Sequence, residues 1–447
     1  MRSKTILLRS IIVIGFILIV INNCQSVLYE KPQIISTFDD KIAVWGPIII
    51  KFPSSIINQI VNLVVEIKPD IPIRKEWQDN FLRIFPEVPF SSNSIYGLKL
   101  IIEFESSSKE ILSEALYYDI EIRKPCLVYI KNPSEDPELN IFCEDLPTQL
   151  TSTNGGIIDF GVSWDGEKIF YSQINDKEGS NIWVIHRDLN QKELLVDCGS
   201  DYCFSPNLSP DGHYMAYIRE SLKVNLDEVK KNQKIIIHDL SSSEDSELMS
   251  EEKYSCASLQ WSPDGYYMTF FDSYSASIWL WDSRKNELIT IPSGENQLGN
   301  WSLDSNQIIY SAPVYWGGIA YDELWIWNSS TKSSQRIITD AVLPWHIISP
   351  QIQPGGSLIA MTMRPLEGSA SSQIYLYDTS KDNFVQISEN QQLNYSAIRW
   401  NPEGNSICYQ RFDFSNQQGS PEVFIWDLEK NTHQLVEINA SYPRWIP

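Results

Sequence analysis

The chain has 447 residues and carries 35 Lys and Arg against 57 Asp and Glu, for a formal charge of −22. An apolar fraction of 43% with 12% aromatic residues is ample for a packed core, which excludes wholesale disorder. The acidic balance excludes a nucleic-acid binder, which needs clustered Lys and Arg, and disfavours attraction to anionic lipid head groups.

In chain order, residues 1–24 come first and read as an export signal. Arg2, Lys4 and Arg9 form a basic front, and residues 11–21 are an uninterrupted apolar run. That run is short for a bilayer span and suits the core of a signal peptide. Cys24 follows, at the place where bacterial lipoproteins carry the lipid-modified cysteine, although Ile21-Asn22-Asn23 lacks the usual small residue. The alternative is an uncleaved anchor starting near Ile6. Either reading exports the bulk of the chain to the outer face of the cell membrane or the periplasm, lipid-anchored or secreted. Contact with the membrane is expected through the N-terminus only.

Residues 30–124 predict a small antiparallel sandwich, because alternating apolar positions are separated by turn residues. A strand enters a turn at Gly46 to Ser55. Trp77-Gln-Asp79-Asn80 precedes a strand ending at Pro86, and Tyr96 begins a later one. This pattern resembles bacterial Ig-like domains, which implies a spacer or docking module. Residues 115–122 are expected as its last strand, with Arg123-Lys124-Pro125 as the link onward.

From residue 125 an internal repeat takes over. Ser163-Trp-Asp-Gly, Ser209-Pro-Asp-Gly, Trp261-Ser-Pro-Asp-Gly and Trp301-Ser-Leu-Asp each join two apolar strands. Weaker copies start at Ile352 and Trp400. The Asp-Gly turn supplies positive φ without steric cost. A second signature follows each copy, as in Ser277-Ile-Trp-Leu-Trp-Asp282 and Glu422-Val-Phe-Ile-Trp-Asp427, and reads as a third strand ending in an Asp or Asn turn. One four-stranded unit every 40 to 53 residues is the signature of a β-propeller blade. The repeat resembles the TolB-like propeller repeat, a relative of the WD repeat. Six hallmark copies favour six blades. The chain ends favour seven: residues 126–130, 138–144 and 147–151 look like a blade without its innermost strand, and residues 442–447 look like that missing strand. The expected fold is therefore all-β, a seven-bladed propeller (residues 125–447) closed by the C-terminal strand, preceded by an Ig-like sandwich.

Seven cysteines are present. An oxidising compartment permits disulfides, and Cys198 lies close enough to Cys203 to bridge a loop. Cys203 and Cys256 occupy equivalent repeat positions, so their pairing competes, and buried free thiols are the third option. No Cys-x-x-Cys occurs and only five histidines are present, so neither a metal nor another cofactor is expected.

The chemistry is sparse. Asp165, Asp211, Asp264, Asp304 and Glu403 sit in the hallmark turns, where repetition argues for bonding to local backbone N–H groups rather than catalysis. Serine hydrolases of the prolyl oligopeptidase group carry a similar propeller, but their Gly-x-Ser-x-Gly elbow is not found here. Pectin-fragment lyases of the same repeat family gather several histidines around a metal, whereas here only His346 is placed to face the axis. What remains is a binding face formed by the loops between second and third strands and between blades. Its candidates are Tyr315, Trp316 and Tyr321, then Phe412 and Phe414 with Phe271 and Tyr274, joined by Trp345, His346 and Arg364. The charged insertion 219–231 reads as a solvated excursion. The expected function is an exported, membrane-tethered binding scaffold for an envelope protein or glycan. The rival is an envelope hydrolase or polysaccharide lyase working in the channel.

Overall fold

The structure, a computed structural model, describes residues 31–447 except 36–39, 106–108, 188–190, 226–227, 249–253, 294–297, 317, 338–344, 367–370, 389 and 414–418, and the side chains of 222–231, 257 and 316. The export segment and Cys24 therefore lie outside the described residues, as do Phe414 and the side chain of Trp316. Among the described residues no helix is long and apolar enough to cross a membrane.

The N-terminal part is two four-stranded sheets. One holds Gln33–Ile35, Ile48–Lys51, Phe81–Pro86 and Ile73–Gln78; the other holds Lys41–Ile42, Ile111–Ile122, Ile95–Glu105 and Ile60–Lys68. Alternation decides which side chains go inside. Ile48, Ile50, Leu82 and Ile84 of the first sheet and Leu98, Leu100 and Ile102 of the second bury their side chains in one shared core. Trp77 stays at the edge, 5.1 Å from the ring of Phe52.

The remaining strands form seven four-stranded sheets among the described residues. In chain order these are blade 1 (157–196), blade 2 (202–248), blade 3 (256–292), blade 4 (300–336), blade 5 (345–386) and blade 6 (393–438). Blade 7 combines 126–149 with the last strand. That strand, Ala440–Ile446, pairs antiparallel with Cys126–Lys131, so the two ends of the propeller meet in one sheet. Arg187 donates to the carbonyl of Pro447 at 2.8 Å, and Lys131 Nζ lies 2.7 Å from Glu437. Gly166 packs so close to Pro447 that a Cβ would overlap its carbonyl oxygen.

Two disulfides are present. Cys198–Cys203 closes the loop between blades 1 and 2, and Cys126–Cys143 joins two strands of blade 7. The pairing of Cys203 with Cys256 does not form: Cys203 is already bonded, and Cys256 is a buried free thiol, like Cys408. The bridge across blade 7 was invisible in the spacing because only strand pairing brings residues 126 and 143 together.

Hallmark turns follow one plan in blades 1 to 4. Ser163 Oγ donates to Asp165 Oδ1 at 2.6 Å while the carboxylate accepts the N–H of Glu167. The same contacts join Ser209 to Asp211, Ser262 to Asp264 and Ser302 to Asp304. Blade 6 departs from it. There Asn401 Oδ1 accepts the N–H groups of Asn405 and Ser406, and Glu403 instead accepts the backbone N–H (2.9 Å) and the hydroxyl (3.0 Å) of Ser92 in the sandwich. Glu403 is thus a docking residue, not a turn former, because Asn401 already satisfies its own turn. Trp45 adds a bond from its indole N–H to the carbonyl of Pro402. Arg123 donates to the carbonyl of Gly166 in blade 1. The sandwich therefore sits over the hallmark-turn face.

Candidate functional site

Meander topology puts the first-to-second and third-to-fourth turns on one face, and the second-to-third hairpins with the inter-blade loops on the other. Among the described residues, the sandwich's hydrogen bonds to the propeller fall on the first face. On the second face, the mouth, rise the two hairpins with the longest paired strands: Tyr214–Asn225 with Glu228–Asp239 in blade 2, and Gln307–Trp316 with Ile319–Asn328 in blade 4. The excursion at 219–231 is thus a continuation of paired strands.

The expected mouth residues divide by burial. Tyr315 is 79% exposed and Tyr274 is 76% exposed, each at the tip of its hairpin. Tyr321 (8%) and Phe271 (3%) are buried and unavailable to a ligand. Phe271 lies in the core between blades 3 and 4, and Tyr321 sits on a strand covered by the innermost strand of blade 5. Trp345 packs edge-on against Tyr375 at 5.4 Å. Arg364 and Phe412 are half-buried at the ends of second strands. His346 does not face the axis: its Nδ1 lies 2.6 Å from Asp322 Oδ2 on the neighbouring blade. The other histidines scatter too, His238 against Asp245 and His433 against Tyr409. Among the described residues no cluster of three or more His, Cys, Asp or Glu could hold a metal.

The axis holds what the sequence reading missed. A cavity of about 490 Å3 runs along it, lined by the innermost strands, with Trp45 reaching in from the sandwich. One structurally equivalent position on each innermost strand, two residues before the hallmark turn begins, faces this space. In blades 2 to 7 it is occupied by Asn207, Gln260, Asn300, Gln351, Arg399 and Arg444. Blade 1 places Gly161 there, where a Cβ would overlap the carbonyl oxygen of Pro206. A β-bulge just before this position on most of these strands turns the side chain toward the axis.

Arg399 and Arg444 belong to adjacent blades and repel one another. Burial, then the neighbouring charge of Arg444, push the Arg399 guanidinium down to about 10, which still leaves it charged at neutral pH. Burial likewise lowers Arg444, partly offset by the carboxylate of Asp159 on blade 1. Burial raises Asp159 itself, whose Oδ2 accepts the N–H of Ser205 at 2.6 Å. Arg399 donates to the carbonyl of Ile398 at 2.8 Å, and the Arg444 guanidinium lies 5.4 Å from the ring centre of Phe160. Among the described residues neither arginine has a carboxylate within 4.0 Å. The signal for both was present in the sequence: each arginine directly precedes a repeat tryptophan, Trp400 or Trp445, as Gln260 precedes Trp261. A larger groove of about 740 Å3 between blades 2 and 3 is lined by Ser209 and Asp211, whose polar atoms already serve their own turn.

No known family and no curated protein matches the sequence. Solved structures do match. TolB from Acinetobacter baumannii is 14% identical with a TM-score of 0.44, over 80% of this chain and 81% of that one. A structure from a study of two prolyl endopeptidases is 14% identical with a TM-score of 0.50, over 79% of this chain and 49% of that one. The acylaminoacyl peptidase of Pyrococcus horikoshii is 12% identical with a TM-score of 0.48, over 76% of this chain and 50% of that one. The chain spans about half the length of these two peptidases. The class defined is a nearly all-β protein built on a β-propeller, and at these identities the likeness is one of fold.

Proposed function

We propose that the protein is an exported, membrane-tethered scaffold that binds an envelope protein or glycan through the mouth of its propeller. One observation carries this reading. Tyr274 and Tyr315, on the adjacent blades 3 and 4, hold large rings in water on the face opposite the sandwich's hydrogen bonds, with Ile319 exposed beside Tyr315. Exposed amphipathic rings on adjacent blades suit recognition, since each offers apolar area and a hydroxyl at low entropic cost. Export agrees with two disulfides, which persist in oxidising compartments.

The test is a photo-cross-linking residue placed at Tyr315 or, as the control, at exposed Tyr117 of the sandwich. A defined adduct in envelope extract from position 315 but not 117 is expected. Equal labelling from both positions would sink the mouth as the binding face. With the cross-linker kept at position 315, Tyr274→Ala should weaken the adduct while changing stability by less than about 0.5 kcal/mol.

A second reading, chemistry within the channel, draws on Asp159 lying in the field of Arg444. A carboxylate raised by burial beside the Arg444 guanidinium has the makings of a general base with electrostatic support. Asp159→Asn would leave a scaffold's adduct intact and abolish turnover by a channel enzyme.

A further inference from the structure

The axial cavity carries more charge than its own partners balance. Two guanidiniums from adjacent blades face one space, within range of mutual repulsion, against the single carboxylate of Asp159. The surrounding protein bears a formal charge of −22, so the positive pair is a local inversion of the field. Arginine presents a planar fork of donors suited to oxyanions, and the low-dielectric walls of a concave site strengthen the attraction. Asn207, Gln260, Asn300 and Gln351 complete the ring with amides, and Trp45, Phe160, Trp400 and Trp445 supply apolar wall.

We infer that the propeller axis is a binding site for a small oxyanion, a carboxylate or phosphate, held by Arg399 and Arg444 and covered on one side by Trp45. The site is separate from the mouth proposed above and requires no reaction. An anion between the guanidiniums removes their repulsion, so occupancy stabilises the folded ring by mass action. The cavity of about 490 Å3 has room for the anionic group and a ring-sized substituent against the tryptophans.

The test uses the full chain titrated calorimetrically with inorganic phosphate, benzoate and its neutral isostere benzamide, alongside thermal melting. One-to-one binding of phosphate or benzoate, with a raised melting temperature and no effect of benzamide, is expected. Benzoate binding more tightly than phosphate assigns a carboxylate with an apolar body; the reverse assigns phosphate. Arg399→Gln and Arg444→Gln should each weaken binding about tenfold or more, and together abolish it. Gln already occupies the equivalent position in blades 3 and 5, so these variants keep the ring, and with repulsion removed their ligand-free melting should not fall. Tyr315→Ala should leave anion binding unchanged, which separates this site from the mouth. Absence of binding by both anions, or unchanged affinity in the double variant, overturns the inference.

Discussion

On the face toward the sandwich, blades 1 to 4 close their innermost strands with the same Ser-x-Asp turn, while blade 6 substitutes Asn401 and turns Glu403 outward to Ser92. On the opposite face the hairpins share no plan: those of blades 2 and 4 stay paired over longer stretches than the rest, and Tyr274 and Tyr315 stand in water. Both faces belong to the same strands. The difference teaches that repetition marks where backbone groups must be satisfied, whereas departures from it mark contacts with something outside the blade. Glu403 is such a departure toward the sandwich, Arg399 and Arg444 toward the axis, and the long hairpins toward the solvent side.

The strongest way to break that comparison is to remove what holds both faces in register. Deleting residues 441–447 withdraws the innermost strand of blade 7, one channel arginine and the carbonyl that Arg187 binds. The exposed edge of Cys126–Lys131 should lower the melting temperature by more than about 10 °C or drive aggregation. A calorimetric melt unchanged by the deletion would defeat ring closure.

A smaller effect tests the sandwich contact. Glu403→Gln removes a charged acceptor from the Ser92 N–H and hydroxyl and should cost about 1–2 kcal/mol of docking. The Ser92 amide should then exchange its hydrogen markedly faster, while amides of the sandwich core such as Leu100 keep their protection. Unchanged exchange at Ser92 would show that Trp45 and Arg123 suffice.

The smallest effect concerns the turns that follow the third strands. Lys381 and Ser380 hold the Asp378 carboxyl down at about 2, Ser241 lowers Asp239, and Lys430 lowers Asp427. A carboxyl whose folded value lies below its unfolded value, about 3.9, contributes its full stability above that pH. The contribution disappears as pH falls through the folded value. Melting temperature should therefore decline by a few degrees between about pH 4 and pH 2, and Asp378→Asn should flatten part of that decline. A profile flat over this interval would remove the turns from the stability account.

Much of the fold was legible because each blade repeats its own local solution: an apolar strand, a turn, and an alternating strand. The mouth was legible only in part. Their place in aromatic stretches between second and third strands put Phe271 and Tyr321 among the ligand candidates, yet the neighbouring blade covers both. The axial arginines were overlooked because a single charged residue before a tryptophan looks solvated until adjacent innermost strands converge. Glu403 was grouped with the turn carboxylates because Asn401 hides in the sequence as an ordinary variant of Ser.

By itself, the sequence determined the strands, their turns and the repeat that sets blade size, since these depend on contacts between residues close along the chain. Only the tertiary structure decided the seating of Trp45 over the axis and the meeting of Arg399 with Arg444. Those depend on closing a ring from distant segments, and the geometry of closure is written in no single repeat.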